Sequence, residues 1–325
     1  MNIQHRTSNV ERRTAHCKWR MPLIVALAIL ITACSSSGPV RQVDPELYRT
    51  AKSARTAFGH GQYEQAARLY QRSLNRARVM DDAVEIGNNA YNLAACSMEL
   101  REYDRARELL EESRAAFQRT GVVPEGISIL EVKSALAVGS LEKAKELLES
   151  ISKGDSLPPE IMVQYKLLRA DLALRLDETD KARLELSDLR DELREVGVDA
   201  LTAEADRLEG ELLVREREFM AAGGIFDHRA DLLRQTAHYR PMAIALGRAG
   251  EAYWDGRAYC RSLNRFFRAA RSLFAQEDMV ESLNMLSFAM EVSRDCAQES
   301  LRQEVRELFD EIRGSLADLP VENNE

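Results

Sequence analysis

From about residue 44 to residue 316, apolar residues recur three and four positions apart almost without interruption, and runs that alternate every second residue are nearly absent. A period near 3.6 places the apolar side chains of each segment on one stripe, so the pattern predicts a chain of amphipathic helices and an all-α fold. The prolines agree with this reading. Pro45, Pro124, Pro158, Pro159, Pro241 and Pro320 stand at the starts of periodic segments or past their ends, where a missing N–H leaves no helical hydrogen bond unmade. Asp82, Asp199 and Asp278 occupy expected N-cap positions, and Gly121, Gly154 and Gly197 stand where helices should stop.

The helices repeat. A small residue followed four positions later by a large apolar one occurs at Ala66/Tyr70, Ala106/Leu110, Ala144/Leu148, Ala182/Leu186, Ala222/Phe226 and Ser262/Phe266. The intervals between the small residues are 40, 38, 38, 40 and 40. Upstream of each lies a second amphipathic segment with its own small residue, such as Ala94, Ala170, Gly210 and Gly250. A small residue lets two antiparallel helices approach closely, and the large residue fills the space toward the next pair. Self-similarity at such a period is the mark of a solenoid, in which each unit buries its apolar face only against its neighbours.

Gly61-x-Tyr63-x-x-Ala66, Leu93-Ala94 and Gly250-x-x-Tyr253 carry a resemblance to the tetratricopeptide (TPR) repeat. The usual period of that repeat is 34 residues. Each unit here is longer by roughly one helical turn, and the terminal proline of the motif is missing. The resemblance implies an α-solenoid of antiparallel helix pairs, a TPR-like right-handed superhelix of about 6–7 units.

The first 33 residues differ from the rest. Arg12, Arg13, Lys18 and Arg20 precede the apolar run Pro22–Ile31, and Thr32-Ala33-Cys34 closes it. This reads as an export signal, and the run is far shorter than the roughly 20 residues needed to span a bilayer as a helix. Leu30-Ile31-Thr32-Ala33-Cys34 resembles the cleavage site of bacterial lipoproteins, which implies that Cys34 is the lipidated first residue of the mature chain. Ser35, rather than Asp, follows it, and by that resemblance the protein sorts to the outer membrane, facing the periplasm. The chain is thereby divided into an export signal (1–33), a lipidated Cys and polar tether (34–43), a repeat array (44–277), a terminal helix pair or cap (278–316) and a tail expected to be disordered (317–325). Fully extended, the tether reaches at most about 30 Å.

Charge narrows the function classes. The whole chain has 45 basic and 53 acidic residues, a net charge of −8. Loss of residues 1–33 removes five basic residues and one acidic, leaving 40 and 52 and a net charge of −12. Such a chain lacks the Lys/Arg excess that phosphate recognition requires, so nucleic acid is not an expected partner. The chain contains no His-Glu-x-x-His, Cys-x-x-Cys, Gly-x-x-x-x-Gly-Lys-Ser/Thr or Gly-x-Ser-x-Gly. The expectation is a protein that is not an enzyme and needs no cofactor or metal.

Among the remaining cysteines, Cys260 and Cys296 fall near adjacent helix ends on one edge of a solenoid. An oxidising compartment permits a bond between them, and two buried thiols are the alternative. Cys96 lies in an Ala-rich stretch and reads as a buried small residue.

TPR arrays bind partners along the concave face, lined by the first helix of each pair. The motif register puts Asn88, Tyr91, Asn92, Asp171, Arg175, Arg207, Glu211, Glu251 and Trp254 on that face. Asn92 matches the Asn of the carboxylate clamp in chaperone-binding TPRs. Ala51, Gly126 and Leu130 stand where that clamp needs Lys, Lys and Arg, so capture of a C-terminal carboxylate is not expected. Trp254 suits a binding hot spot, although a solitary Trp beside Tyr253 more often packs between helices. The resemblance implies an interaction scaffold for an envelope protein or peptide, with a sensor of soluble peptides or cell-wall fragments as the alternative.

Overall fold

A computed structural model describes residues 44–151, 157–187 and 189–317. Among these residues all regular structure is helical. The helices pair in sequence: α1 (Pro45–Gly59) with α2 (Tyr63–Val79), α3 (Ala83–Glu99) with α4 (Tyr103–Gln118), and α5 (Glu125–Ala137) with α6 (Leu141–Ile151). Next, α7 (Pro159–Arg175) pairs with a second helix in two pieces, α8 (Thr179–Ser187) and α9 (Leu189–Val196). Then α10 (Asp199–Arg215) pairs with α11 (Phe219–Gln235), and α12 (Tyr239–Asp255) with α13 (Tyr259–Phe274). Finally, α14 (Met279–Val292) leads through a 3-10 turn (Ser293–Asp295) to α15 (Glu299–Ala317). Gly154, Pro320, the export signal, Cys34, the tether and the tail lie outside the described residues.

The connections explain the period. A residue with positive φ follows nearly every described helix: Gly61, Asp81, Arg101, Gly121, Gly139, Asp177, Gly197, Arg217, Ala237, Arg257 and Glu277. From Asp177 to Glu277 these residues recur every 20 positions. All of these left-handed residues but Gly121 and Gly197 close a Schellman cap, in which the next N–H reaches back five residues. Examples are Gln62 N to Ala57 O (2.9 Å), Glu218 N to Leu213 O (2.9 Å) and Asp278 N to Leu273 O (3.0 Å). That same next residue starts the following helix by accepting from the N–H four residues on, as Ala66 N donates to Gln62 O (2.9 Å). A long helix plus a three-residue joint thus makes a half-unit of 20 residues.

This geometry corrects one sequence expectation. Asp82 and Asp278 do cap α3 and α14 through their side chains, accepting from Glu85 N (3.2 Å) and Glu281 N (3.3 Å). Asp199 does not cap α10. Gly197 is the left-handed residue, so Val198 takes the N-cap position and Asp199 becomes the first helical residue.

The repeated small residues are the inner contact of each pair. Ala66, Ala106, Ala144, Ala182, Ala222 and Ser262 are all 0% exposed. The large partners Tyr70, Leu110, Leu148, Phe226 and Phe266 are buried, while Leu186 is partly buried. A Cβ on Gly210 would lie 2.5 Å from the Phe226 ring, and one on Gly250 2.9 Å from the Phe266 ring. The glycines are therefore required by the rings that lie on them.

Gly223 and Gly224 show how far this holds. A Cβ on Gly223 would meet the Tyr253 ring at 2.6 Å, whereas nothing lies within 4 Å of one on Gly224. The Tyr253 ring cannot swing away, because its hydroxyl donates to Asp227 (2.9 Å), which Arg265 also holds (2.6 and 2.8 Å). Gly223→Ala is expected to destabilise by up to about 2 kcal/mol, since overpacking costs about 1–3 kcal/mol against a helix-propensity gain of about 1. Gly224→Ala gains the propensity alone and is expected to stabilise by up to about 1 kcal/mol. Urea denaturation of both variants tests the pair; shifts of the same sign would contradict this packing.

Candidate interaction groove

The first helices of the pairs carry matching positions along their common face. Counting by the repeat period, Lys133, Asp171, Glu211 and Glu251 form one row, Asn88, Gln164 and Glu204 a second, and Glu99, Arg175, Arg215 and Asp255 a third. These rows bring residues of α7 and α10 into one ionic cluster. The Arg207 guanidinium bonds Glu204 (2.6 Å), Glu211 (2.8 Å) and, across the helix boundary, Asp171 (3.2 Å). Asp171 is only 8% exposed and also accepts from Arg175 Nε (2.9 Å). Burial alone would lower the Arg207 pKa; the carboxylates of Glu204, Asp171 and Glu211 outweigh it and raise the value above that of a free arginine. An unpaired charge so placed would be costly, so these four residues act as a unit.

Arginines at the ends of the first helices then tie each to the one before. Arg175 donates to the Leu136 carbonyl in α5 (3.0 Å) and Arg215 to the Leu174 carbonyl in α7 (3.3 Å). Both acceptors are last-turn carbonyls that also accept from the joint, Leu136 O from Gly139 N and Leu174 O from Asp177 N (3.1 Å each), so each arginine adds a second bond at a helix C-terminus. The concave wall from α5 to α10 is thus joined by polar contacts. Beside them lies a cavity of about 280 Å³ whose lining includes Lys133, Gln164, Asp171, Arg175, Leu201 and Glu204. Lys133 Nζ lies 3.4 Å from Gln164 Oε1. Partial desolvation between the helices lowers the Lys133 ammonium pKa, against the opposing pull of Glu204 and Glu99.

The array curls far enough to enclose this face. The joints after α1 and α3 come opposite the start of α12, and a cavity of about 680 Å³ between them is lined by His60, Tyr63, Glu99 and Arg101 on one side and His238, Tyr239 and Arg240 on the other. Desolvation raises the Glu99 pKa, and the nearby charges of Lys133 and His238 moderate it.

The structure separates the nine groove residues expected from sequence. Asp171, Arg175, Arg207 and Glu211 meet in the ionic cluster. Glu251 pairs with Arg248 on the same helix. Asn88 is exposed, and Asn92 Nδ2 donates to the Asn88 carbonyl (2.8 Å). Tyr91 is half-buried, with its hydroxyl against Gly126 of α5; burial, then the Glu160 charge, raise its pKa. Trp254 packs edge-on to Phe266 and Phe288, at ring separations of 6.5 and 6.3 Å, in the seam of α12, α13 and α14. Lys133, Glu204, Gln164 and Glu99 escaped the sequence reading. The repeat register places them on the same face: Lys133 lies one period before Asp171, Gln164 and Glu204 lie two and three periods after Asn88, and Glu99 lies two periods before Arg175.

Cys260 and Cys296 are joined by a disulfide, with Cα atoms 4.9 Å apart. The bond links the start of α13 to the segment after α14. Cys96 is a buried free thiol, and burial pushes its pKa up to about 12. Among the described residues no cluster of three or more metal-ligating side chains occurs, and no helix is long and apolar enough to cross a membrane.

No protein-family model matches the sequence, and no curated protein matches it significantly. Solved structures do match. A signal-transduction ATPase with a tetratricopeptide repeat sensor from Pyrococcus horikoshii superposes over 83% of this chain, with a TM-score of 0.51 and 15% identity. The fold is that of a tetratricopeptide-repeat solenoid. This solenoid spans less than half of that ATPase, 42% of its length. BtubC from P. vanneervenii (87% of this chain and 96% of that one, 15% identity, TM-score 0.43) and yeast Tom70 (85% and 66%, 10% identity, TM-score 0.44) also match. At these identities the likeness is one of fold.

Proposed function

We propose that this TPR solenoid is a membrane-anchored, non-enzymatic scaffold that holds an envelope protein through its concave face. The observation that carries the reading is the ionic cluster centred on Arg207, whose Asp171 and Glu204 line the cavity beside Lys133; the exposed Asn88 on α3 stands in the same repeat row as Gln164 and Glu204, and the half-buried Asn92 lies one turn on. Such a wall offers fixed hydrogen-bonding groups to an extended polypeptide, as peptide-binding grooves do. In this reading residues 1–33 are removed on export, Cys34 carries the lipid, and residues 34–43 hold the array close to the periplasmic face of the outer membrane. Residues 44–277 form the array and residues 278–316 its terminal cap. Two or more acyl chains anchor stably where one does so only marginally. The acidic surface fits a partner that is not nucleic acid.

Crosslinking in native membranes followed by affinity recovery is expected to return one defined envelope protein. The double variant Asn88→Ala/Asn92→Ala is expected to lower that recovery at least about tenfold, the size of effect given by loss of two interfacial hydrogen bonds. Its thermal midpoint should stay near that of the unaltered protein, because Asn88 is exposed and Asn92 is not among the buried core residues. Recovery of only nonspecific contacts at native expression would count against the scaffold. Stabilisation by a soluble peptide or cell-wall fragment, with no stable protein partner, would favour the sensor instead.

A further inference from the structure

The first two helix pairs have two edges of unequal character. At the joints between α1 and α2 and between α3 and α4, the large apolar residues are covered. Phe58, Met98 and Leu100 pack against the core, and the Phe58 ring lies edge-on to Tyr63 at 5.3 Å. At the opposite edge α1 begins, α2 gives way to α3, and α4 gives way to α5. There Tyr48 is 59% exposed, Val79 81%, Met80 37% and Val122 70%.

These four residues share one surface. Arg76, near the end of α2, bonds Asp44 at the head of α1 (2.8 Å), and Arg119, just past α4, bonds Asp81 in the next joint (2.8 Å). Val79 and Met80 lie between those two ion pairs, and Tyr48 and Val122 lie within a turn of them. Val123, by contrast, turns inward onto the core. Single exposed apolar residues carry no meaning, whereas a group on one edge marks an interaction surface. What covers it is indicated by the chain itself. Asp44 sits on this edge, ten residues after Cys34, so a lipid on Cys34 would bring this edge, before any other part of the array, to the bilayer.

We infer that the edge formed by Tyr48, Val79, Met80 and Val122 rests on the membrane surface and sets the orientation of the solenoid on it. The inference builds on lipidation of Cys34. The side chains suit the interface: two valines and a methionine enter the acyl boundary, and a tyrosine keeps its hydroxyl at headgroup level. Arg76 and Arg119 already have carboxylate partners, so the contact is apolar and does not depend on anionic lipid. The joints between first and second helices of these pairs, and the groove beyond them, are then left facing away from the bilayer.

The test uses the full mature protein, purified with its lipid and reconstituted into phosphatidylcholine vesicles that contain no other protein. Val79→Cys and Val122→Cys are labelled with a polarity-sensitive maleimide, with Leu184→Cys, 67% exposed on α8, as the comparison site. Cys96 is buried and stays unlabelled under native conditions. On reconstitution the labels at 79 and 122 should shift to the blue by about 10 nm or more and be quenched by headgroup-labelled lipid, while the label at 184 stays unchanged. Unshifted labels on a chain whose Cys34 is acylated would overturn the edge contact and leave the anchor standing. Mass analysis showing no acyl chain on Cys34 would overturn both. A shift that appears only when an envelope protein is added would assign the edge to a protein partner, and overturn the lipid contact.

Discussion

Phe266→Ala is expected to lower the free energy of unfolding by about 3–5 kcal/mol, the range for removing a large aromatic side chain from a closed core. Phe266 is 0% exposed, stacks on Phe288 at 5.4 Å, meets Trp254 edge-on and covers Gly250. Its ring therefore fills the point where α12, α13 and α14 come together. Relaxation cannot close the space cheaply, because Gly250 has no side chain to move in and Phe288 and Trp254 are held by further packing. The loss should also be local. In a solenoid each unit contacts only its neighbours, so hydrogen exchange should quicken from α12 to α15 before it quickens in α1 to α4. Urea denaturation with exchange measurements reads both effects. A change under about 1 kcal/mol would mean that the ring is not the filler of this seam.

Breaking the Cys260–Cys296 bond is expected to cost about 2–4 kcal/mol, as for a cross-link that closes a loop of this size. The bonded cysteines are 36 residues apart. The cost should again fall on the last pair, because the bond holds the end of α14 to α13 while Val305, Leu308 and Ile312 of α15 complete the same core. The measurement is a thermal melt of the Cys260→Ser/Cys296→Ser variant against the oxidised protein. Thiol counting gives an independent check. Without reductant, the unfolded chain should offer Cys96 alone among the cysteines at 96, 260 and 296, and after reduction it should offer three. The folded protein should react slowly even at Cys96, whose buried thiol titrates near 12 and so holds little thiolate at neutral pH. Three reactive thiols in the unreduced, unfolded protein would rule out the bond.

These predictions bear on function through the array's ends. The terminal pair covers the apolar face of α13, and the edge beside Asp44 faces outward at the other end. Between them the concave wall from α5 to α10 is held by Arg175, Arg207 and Arg215 reaching to the helix before. That wall, together with Asn88 and Asn92 of α3, carries the groups proposed to meet a partner, so its geometry depends on ion pairs that must stay satisfied without one.

Much of this was legible in the chain. The 3.6-residue period, the recurring small and large residues from Ala66 to Phe266, and the near-40-residue interval specify a solenoid of helix pairs. They do so because a solenoid core is built from nearest-neighbour contacts, and each repeat must supply the same residue sizes at the same places. The groove was legible only in part. Asp171, Arg175, Arg207 and Glu211 follow from the register, and the same register places Lys133, Gln164, Glu204 and Glu99 on that face, but which of these groups meet is decided by curvature, which no repeat motif records. Asp199 failed as a cap because the left-handed residue at 197 set the start of α10, whatever side chain followed.

What the sequence by itself determined is the helical period, the pairing of helices and the apolar residues that hold each pair. What only the tertiary structure decided is which charges share a site, that Trp254 serves a packed seam, that Cys260 meets Cys296, and that apolar residues crowd one edge of the first two pairs. The reason is physical. Packing constrains residue size locally and repeats along the chain, whereas charges on a concave wall and residues on an edge meet only when successive units bend toward one another.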